Sequence, residues 1–419
     1  MIDKLILWST LVAPLLALPA EPLNPRDEFL RKRSPSFEWT AWGDSYASGV
    51  GAGRYVDGRR CLRYSEAYPV WINDDPDKYL PGSGGKFNNV VCSGAKGKDV
   101  IDYQFYETDQ WAGKPNPEYY PRPAVGKPTM GTLTVGGDDI DFPGILNNCI
   151  LEGFPPPMNG GFKTRTCDEQ REVSWALLAQ TPEHDKPNNA LVAEIDAVIK
   201  RIVLEGSKNS NRFKLYVTGY GQFFNDQDPY CDGVTFARTA NPNPDGKEHV
   251  MMTRELRKDF NAMSRMLNKA IDEAVKLNSG SKTSIVKFID IDPLLDGRRF
   301  CEPGIKEPDQ NNGLAGFFHY PYNVKEEGLG VDYLNQVAAR SASSLSWDPK
   351  RTLWRDYMNE FWSKVDEQEL NKALGGDANA QYNFWSDTIG YRARIFHPQP
   401  KLAHLIYQKV VEEYLKDEK

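Results

Sequence analysis

Apolar residues along this chain fall into two patterns, short unbroken runs and longer stretches with helical spacing. The short runs are rich in β-branched and aromatic residues and do not alternate with polar ones, which is typical of strands buried on both faces of a sheet. Five strands are predicted on this basis, at residues 37–42, 87–91, 131–135, 213–218 and 284–291.

Two long amphipathic helices are predicted between the third and fifth strands, because apolar residues recur at 3.6-residue spacing over 191–203 and 252–271. A last amphipathic helix is predicted at 402–415. Since strands and helices alternate, we expect an α/β fold with a parallel sheet and right-handed crossovers. Ligands of such sheets bind beyond the carboxyl ends of the strands.

The first twenty residues have the pattern of a secretory signal peptide, with Lys4, an apolar run over 5–18 and Ala20 as a small residue before Glu21. The run is short for a membrane span. We therefore expect a secreted, extracellular protein without stable membrane insertion. Residues 21–36 are polar and contain a basic site, which indicates a propeptide or linker, or only a solvated basic patch.

Residues 37–419 are predicted to form one domain, elaborated by a long irregular segment at about 301–394 before the last helix. Its aromatic residues are candidates for an acyl or sugar site, or for core filling under long loops. They are Trp347, Trp354, Trp362, Trp385, Tyr320 and Tyr322.

The net charge of −7 is made of mixed signs without a long basic stripe. Nucleic acid is therefore not an expected partner, and we expect a monomer that acts on a small ligand. An even number of cysteines in an exported chain predicts disulfides rather than thiols, and none forms a C-x-x-C pair. No metal and no cofactor are predicted. Spacing alone leaves open the pairing of Cys61, Cys92, Cys149, Cys167, Cys231 and Cys301.

The first strand runs directly into Gly43-Asp44-Ser45 and then into small residues that can begin a helix. A tight turn between a strand and a helix exposes a hydroxyl at the edge of the sheet and directs backbone N–H groups to the same point. The turn thus makes Ser45 a candidate nucleophile, although Asp and Ser are also ordinary turn and capping residues.

Three later segments complete an ordered set with this turn. Gly43-Asp44-Ser45 is similar to block I of the SGNH, or GDSL-like, hydrolase superfamily, residues 90–95 to block II, residues 132–140 to block III, and His397-Pro398 to block V. Residues 61–69 and 297–302 resemble segments of its secreted actinomycete and fungal esterase branch. The resemblance covers residues 37 to 410 and implies a three-layer αβα sandwich with a mostly parallel, flavodoxin-like sheet of five strands.

The resemblance also implies site residues and a disulfide pairing. Ser45 would attack an ester carbonyl, His397 would take its proton, and the N–H groups of Ser45 and Gly94 would hold the oxyanion. The implied disulfides are Cys61 with Cys92, Cys149 with Cys167, and Cys231 with Cys301. Among the other histidines, His184 and His249 are expected to be solvated, and His319 and His404 to be structural.

Two positions depart from the superfamily pattern. The usual acid three residues before the histidine is replaced by Arg394, so its backbone carbonyl is expected to orient the imidazole; Asp387 and Asp290 are the alternatives. Asp138 stands where an asparagine amide normally donates to the oxyanion. An ionised carboxylate has no proton to donate, so Asp138 would act only when protonated, or else it caps the next helix.

The predicted function is that of a secreted serine esterase or lipase that hydrolyses carboxylic esters of lipids, glycans or small alcohols. One alternative is a catalytically weakened relative that binds an acyl or carbohydrate ligand in the cleft where related enzymes hold their substrate. The other is an acyltransferase that passes the same acyl group to an alcohol other than water.

Overall fold

A central parallel sheet of five strands organises the chain. The computed structural model describes residues 37–57, 61–80, 85–106, 124–150, 165–236, 249–305, 307, 313–318 and 394–418. The strands of the sheet, in chain order, are β1 (Glu38–Gly43), β4 (Lys86–Asn89), β5 (Met130–Thr134), β6 (Phe213–Thr218) and β7 (Ser284–Ile289). Two short strands, β2 (Tyr55–Asp57) and β3 (Arg63–Tyr64), form a separate antiparallel pair.

The strands lie in the order β4-β1-β5-β6-β7, and every pair in this sheet is parallel. The order reverses at β1, which has the next strand in the chain on one side and the third on the other. At such a reversal the chain leaves neighbouring strands, here β1 and β5, in opposite directions. The loops after these two strands therefore diverge and leave a crevice at the carboxyl edge of the sheet.

Eight α-helices are described, and three of them correspond to the long helices predicted from the sequence. In chain order they are α1 (Ser45–Ser48), α2 (Tyr68–Asp74), α3 (Gly97–Tyr103), α4 (Phe142–Ile145), α5 (Cys167–Leu178), α6 (Asn189–Ser207), α7 (Arg254–Asn278) and α8 (Pro400–Asp417). Helix α6 is capped by the side chain of Asn188 and α7 by that of Thr253, as expected for the amino ends of helices.

Helices cover both faces of the sheet and complete three layers. Helices α6 and α7 pack against each other on one face, and α3 contacts α6 there. On the other face α2 packs against α8, where the hydroxyl of Tyr407 donates to Asp75 at 3.0 Å. The Tyr216 hydroxyl donates to Asp417 at 3.0 Å and joins β6 to the end of α8. The predicted α/β sandwich is thereby confirmed.

The three disulfides implied by the resemblance are confirmed. They join Cys61 to Cys92, Cys149 to Cys167, and Cys231 to Cys301. The first lies at the carboxyl edge of the sheet, because Cys92 follows β4 and its N–H donates to the carbonyl of Gly43 at 2.9 Å.

All five predicted strands and the three long predicted helices are present, with ends that differ by at most four residues except at the end of α7, which continues seven residues beyond the prediction. The sequence pattern missed the β2–β3 hairpin and the shorter helices α2, α3 and α5, whose apolar faces are brief. The predicted leader at 1–20, the segment 21–36, His319, Asp387 and the six aromatic residues before His397 lie outside the described residues.

Candidate active site

The turn after β1 presents Ser45 at the carboxyl edge of the sheet. Asp44 is the N-cap of α1, with its side chain accepting from the N–H of Tyr46 at 3.0 Å, and Ser45 is the first helical residue. The amide of a first helical residue has no acceptor within its helix. The N–H of Ser45 is therefore available beside its own hydroxyl.

Gly43 makes this turn possible. Its φ of +139° lies where residues with a Cβ are strained, and an added Cβ would lie 2.4 Å from the carbonyl oxygen of Thr134. The buried side chain of Gln104 binds both backbone groups of this glycine, since its amide donates to the carbonyl at 2.8 Å and its oxygen accepts from the N–H at 2.9 Å. Gly43 is thus held by the side chain of the residue that ends α3.

His397 lies beside Ser45. Its Nε2 is 2.6 Å from the Ser45 Oγ, and its Nδ1 is 3.0 Å from the carbonyl oxygen of Ile395. Because a carbonyl only accepts, Nδ1 carries the hydrogen, and Nε2 is left as the acceptor for the serine proton. A serine and a histidine in this arrangement can act as a nucleophile and its base.

The carbonyl within hydrogen-bond distance of Nδ1 is that of Ile395, and the carbonyl of Arg394, the residue expected from the sequence, acts on the imidazole to a lesser extent. The Arg394 carbonyl instead accepts the backbone N–H of His397 at 2.8 Å, which closes a tight turn. Phe396 occupies the left-handed region of that turn with a φ of +62°, and the carbonyl of the preceding Ile395 faces Nδ1 of the ring. Arg394 contributes differently, with its guanidinium 4.8 Å from the ring centroid of Phe318.

Residues 394–399 form the loop that carries His397, called the histidine loop below. This loop pairs with residues 316–318 through backbone hydrogen bonds. The N–H of Phe318 donates to the His397 carbonyl at 2.9 Å, and the N–H of Phe396 donates to the Phe318 carbonyl at 2.8 Å. Gln399 adds a side-chain bond to the carbonyl of Phe317 at 2.9 Å. The loop is therefore positioned by a short ladder rather than by a strand of the main sheet.

Tyr46 joins the turn at residues 43–45 to the histidine loop. Its buried hydroxyl donates to the carbonyl of Phe396 at 2.8 Å, and its ring lies 5.3 Å from the imidazole of His397. The residue after the serine is thus bonded to the residue before the histidine.

Burial lowers the pKa of His397 to about 4, because desolvation disfavours the imidazolium; the carbonyls of Ile395 and Arg394 act weakly in the opposite direction. Only 6% of the residue is exposed. The imidazole therefore stays neutral and able to accept a proton well into the acidic range.

The expected oxyanion residues all follow the carboxyl ends of strands. Gly94 lies after β4 with a φ of +77°, and within the described residues its N–H has no hydrogen-bond acceptor. Asp138 lies after β5 and is half-buried. Its carboxyl likewise makes no hydrogen bond to the described part of the chain, and the N-cap of the following helix is Asp141. The helix-capping alternative for Asp138 therefore finds no contact in the structure.

Asp138 belongs to a cluster of three carboxyls with Asp44 and Asp139. Desolvation raises the pKa of Asp138 well above its usual value, and the nearby charges of Asp44 and Asp139 raise it further. Burial likewise raises the pKa of Asp44 to about 7 and that of Asp139 to about 7. Like charges in one desolvated place cannot all ionise together, so the cluster retains protons near neutral pH.

Tyr220 bridges the turn at residues 43–45 and the loop that contains Asp138. Its buried hydroxyl donates to Asp44 and accepts from the N–H of Gly137 at 3.1 Å. The sequence analysis missed Tyr220, Tyr46 and Gln104. Tyr220 follows the carboxyl end of β6, so the rule that located Gly94 and Asp138 applies to it as well.

The remaining candidates lie elsewhere or serve the fold. His184 stacks on Trp175 with ring centroids 3.7 Å apart, and His404 packs edge-on against Trp71 at 4.9 Å. Asp290 is exposed, and its carboxylate accepts the N–H of Asp292 at 3.1 Å, so it is not a partner of His397.

In the described ranges no group of His, Cys, Asp and Glu side chains has an arrangement that could hold a metal ion. The helices of the same ranges include none with the length and hydropathy needed to cross a bilayer.

Comparison with known proteins identifies relatives among Streptomyces lipases. No family model matches the chain. A lipase of Streptomyces rimosus is 30% identical over 123 residues, covering 29% of this chain and 37% of that lipase, and Lipase 1 of Streptomyces coelicolor is 28% identical over 116 residues, covering 27% and 35%. The matched stretch is thus about a third of the length of each relative. These matches confirm the resemblance to the actinomycete branch that the motifs predicted.

Two solved structures are also similar. Phospholipase A1 from Streptomyces albidoflavus has a TM-score of 0.44 at 21% identity, covering 70% of this chain and 89% of that one. The extracellular lipase of Streptomyces rimosus has a TM-score of 0.41 at 21% identity, covering 64% and 86%.

The first prediction concerns Tyr46. In Tyr46→Phe the packing is kept but the bond to Phe396 is lost, so we expect kcat for an aryl acetate to fall about tenfold while KM changes little, because the imidazole is less well oriented. Tyr407→Phe is the matched control, since it removes a buried hydroxyl bond remote from Ser45. Equal kcat losses in both variants, tracking equal losses in Tm, would show that Tyr46 is only structural.

The second prediction concerns stability and pH. Between about pH 4 and pH 7 the folded chain keeps protons on the carboxyl cluster that the unfolded chain has released, so stability falls as pH rises through this window. His397 acts oppositely, because its folded pKa is lowered, but it is one group against three. We expect Tm to be higher at pH 5 than at pH 7.5 by about 4 °C.

Asp139→Asn provides the check on this cause. The amide oxygen can still accept from the N–H of Gly97, as the carboxylate does at 3.0 Å, but it cannot ionise. The Tm difference between the two pH values should therefore shrink in the variant. An unchanged difference would mean that the carboxyl cluster does not set it.

Proposed function

We propose that this chain is an exported serine hydrolase of carboxylic esters, with Ser45 as nucleophile and His397 as base. The observation that carries the proposal is the 2.6 Å contact between the Ser45 Oγ and the His397 Nε2 at the carboxyl edge of the sheet. The relation to Streptomyces lipases supports ester substrates in particular. The disulfides and the signal-like leader support an extracellular protein.

In the acylation half of the reaction, the Ser45 oxygen attacks the ester carbonyl carbon and its proton passes to the His397 Nε2. The tetrahedral intermediate then breaks its bond to the alcohol oxygen, which takes the proton from His397 as it leaves. A water molecule repeats the sequence on the acyl-enzyme and releases the carboxylic acid. The Ile395 carbonyl holds Nδ1 throughout and disperses the charge of the transient imidazolium.

The backbone N–H groups of Ser45 and Gly94 are the proposed oxyanion donors. Removal of one such donor typically costs about 3 kcal/mol of barrier. Asp138 would be a third donor when protonated, and the raised pKa of its carboxyl supports that role over a wide pH range. When ionised, the same group would repel the alkoxide that forms.

The first test is labelling of Ser45. A fluorophosphonate probe should modify the wild-type chain at Ser45, and Ser45→Ala should abolish both labelling and hydrolysis of p-nitrophenyl esters. Ser174→Ala is the control, a buried serine of α5 whose loss should leave labelling intact. Absence of labelling in the wild type would favour the ligand-binding alternative. Formation of an acylated glycerol when glycerol is added to the reaction would favour an acyltransferase.

The second test is the pH profile of Asp138→Asn. Below the pKa of Asp138 the carboxyl can donate to the oxyanion, and this contribution is lost as pH rises through that pKa. An asparagine amide donates at every pH, so kcat/KM of the variant should extend to higher pH than that of the wild type. The lower limb, set by protonation of His397 near pH 4, should remain where it is.

Asp99→Asn is the control for that profile. Burial also raises the pKa of Asp99, but this residue lies in the first turn of α3 and bonds to the N–H of Lys96. Its variant should move the upper limb slightly to lower pH, opposite to the shift in Asp138→Asn, because the charge of Asp99 is one of the smaller causes that raise the pKa of Asp138. A profile of Asp138→Asn that coincides with the wild type would rule out oxyanion donation by the Asp138 carboxyl.

A further inference from the structure

The hydroxyl of Tyr220 connects two loops of the candidate site. It donates to one carboxyl oxygen of Asp44 and accepts the N–H of Gly137 at 3.1 Å. Asp44 directly precedes Ser45 in the chain, and Gly137 directly precedes Asp138. The side chains of Tyr220 and Asp44 are both buried, so the bond between them lies out of water, where such a bond is electrostatically strong.

Helix α7 fixes the backbone of Tyr220. The side chain of Asn268 binds both backbone groups of this tyrosine, because its oxygen accepts the N–H at 2.7 Å and its amide donates to the carbonyl at 2.7 Å. The ring of Tyr220 packs edge-on against that of Tyr46, with centroids 4.9 Å apart. Since both the backbone and the ring are held, the hydroxyl is a fixed point between the two loops.

Hydrogen bonds distinguish the three carboxyls of the cluster. Both oxygens of Asp44 accept a hydrogen bond, one from a backbone N–H of the following turn at 3.0 Å and the other from Tyr220. The oxygens of Asp139 lie 3.0 Å and 3.2 Å from the backbone nitrogen of Gly97. The carboxyl of Asp138 makes no hydrogen bond to the described part of the chain. Because accepted hydrogen bonds favour the charged form of a carboxyl, Asp138 is the last of the three to ionise.

The charge of Asp44 opposes ionisation of Asp138. Desolvation is the largest cause that raises the pKa of Asp138, and the charge of Asp44 is the next. Desolvation also raises the pKa of Asp44, and the bond from Tyr220 is the largest influence that lowers it. A hydroxyl that favours the charged form of Asp44 therefore favours the protonated form of Asp138.

The other ionisable groups around these carboxyls do not depend on this hydroxyl. Asp139 and Asp99 raise the pKa of Asp138 by their charges, and Lys96 lowers it. Burial raises the pKa of the three tyrosine hydroxyls near Asp44, which therefore stay neutral through the physiological range. They are Tyr46, Tyr68 and Tyr220.

We propose that Tyr220 is a positioning residue, which stabilises the charged form of Asp44 and thereby keeps the proton on Asp138, the group that would donate to the oxyanion. The catalytic consequence rests on the proposed esterase function. The place of the proton itself depends only on the bond from Tyr220 to Asp44 and on the interaction of the two carboxyls.

Tyr220→Phe tests the proposal, because it removes the hydroxyl and keeps the ring. Without this bond Asp44 holds its own proton more tightly, so Asp138 ionises earlier. We expect the upper limb of the kcat/KM profile to move to lower pH by about one unit. The lower limb, set by His397 near pH 4, should stay in place. An upper limb at its wild-type position, however far the rate falls at every pH, would overturn the proposal and leave Tyr220 a structural role.

Tyr216→Phe is the matched control. Tyr216 is a buried tyrosine of β6 whose hydroxyl donates to Asp417 at 3.0 Å. The variant therefore also removes a bond from a tyrosine to an aspartate, but at the end of α8 and not at the turn of Ser45. Both limbs of its profile should coincide with those of the wild type.

The double variant Tyr220→Phe with Asp138→Asn shows whether Asp138 carries the effect. An asparagine amide does not ionise, so the shift caused by Tyr220→Phe should be absent when Asp138→Asn is already present. A shift of the same size in this background would mean that the hydroxyl acts through another group, and the proposal would fail.

Asp44→Asn gives an independent variant that leaves Tyr220 in place. The amide oxygen can still cap α1, but the side chain carries no charge, so Asp138 should again lose its proton at lower pH. If Tyr220→Phe does not fold, an upper limb of Asp44→Asn at the wild-type position overturns the proposal in its stead.

Infrared titration separates this proposal from the esterase proposal, since it needs no substrate. The C=O band of a protonated carboxyl that is missing in Asp138→Asn reports the proton on Asp138, and in Tyr220→Phe it should disappear at a lower pH than in the wild type. If the band shifts in this way while Ser45 resists the fluorophosphonate, the esterase proposal fails and the place of the proton stands. If Ser45 is labelled but the band disappears at the same pH in both proteins, the role of Tyr220 fails alone.

Discussion

The hydrogen bond from the Tyr46 hydroxyl to the Phe396 carbonyl is the contact on which the candidate site depends. Ser45 and His397 are 352 positions apart in the chain. Ser45 begins α1, whereas His397 lies in the loop before α8. A bond between their immediate neighbours transfers the rigid geometry of the sheet edge to a loop that has no strand of its own. The paired segment at 316–318 then holds the other side of that loop, so the imidazole is fixed from two directions.

Desolvation is the second constraint, and it acts on acid and base together. The same burial that keeps His397 neutral down to about pH 4 makes ionisation of Asp44, Asp138 and Asp139 unfavourable. A base with a lowered pKa is a weak one, yet it remains unprotonated in acid, where a protonated Asp138 could donate to an oxyanion. Under the proposed mechanism, a carboxyl in place of the amide is compatible with catalysis only in the pH range in which Asp138 is protonated and His397 is neutral.

Much of this architecture follows from local pattern. Strands buried on both faces leave unbroken apolar runs, and the carboxyl-edge rule brings Ser45, Gly94 and Asp138 together from their positions after β1, β4 and β5. The resemblance to a known superfamily supplied His397 and the disulfide pairs. Local pattern could not select the Ile395 carbonyl, because one residue in the left-handed region decides which carbonyl faces the ring, and it could not find Gln104, whose role depends on a contact across 61 positions.

Helix α7 shows why a pocket escapes sequence analysis while a helix does not. The apolar stripe of α7 is continuous, and Met263 and Met266 both fall within its buried face in a pattern of period 3.6. The packing of α4, the segment after it and the loop after β6 decides which of these residues lines the apolar pocket between these elements, and Met263 does so while Met266 does not. The lining also includes Tyr220, which bonds to Asp44, and Phe396, which precedes His397. The loops that follow β1 and β6, together with the loop of His397, thus contribute both to the candidate site and to the wall of this pocket.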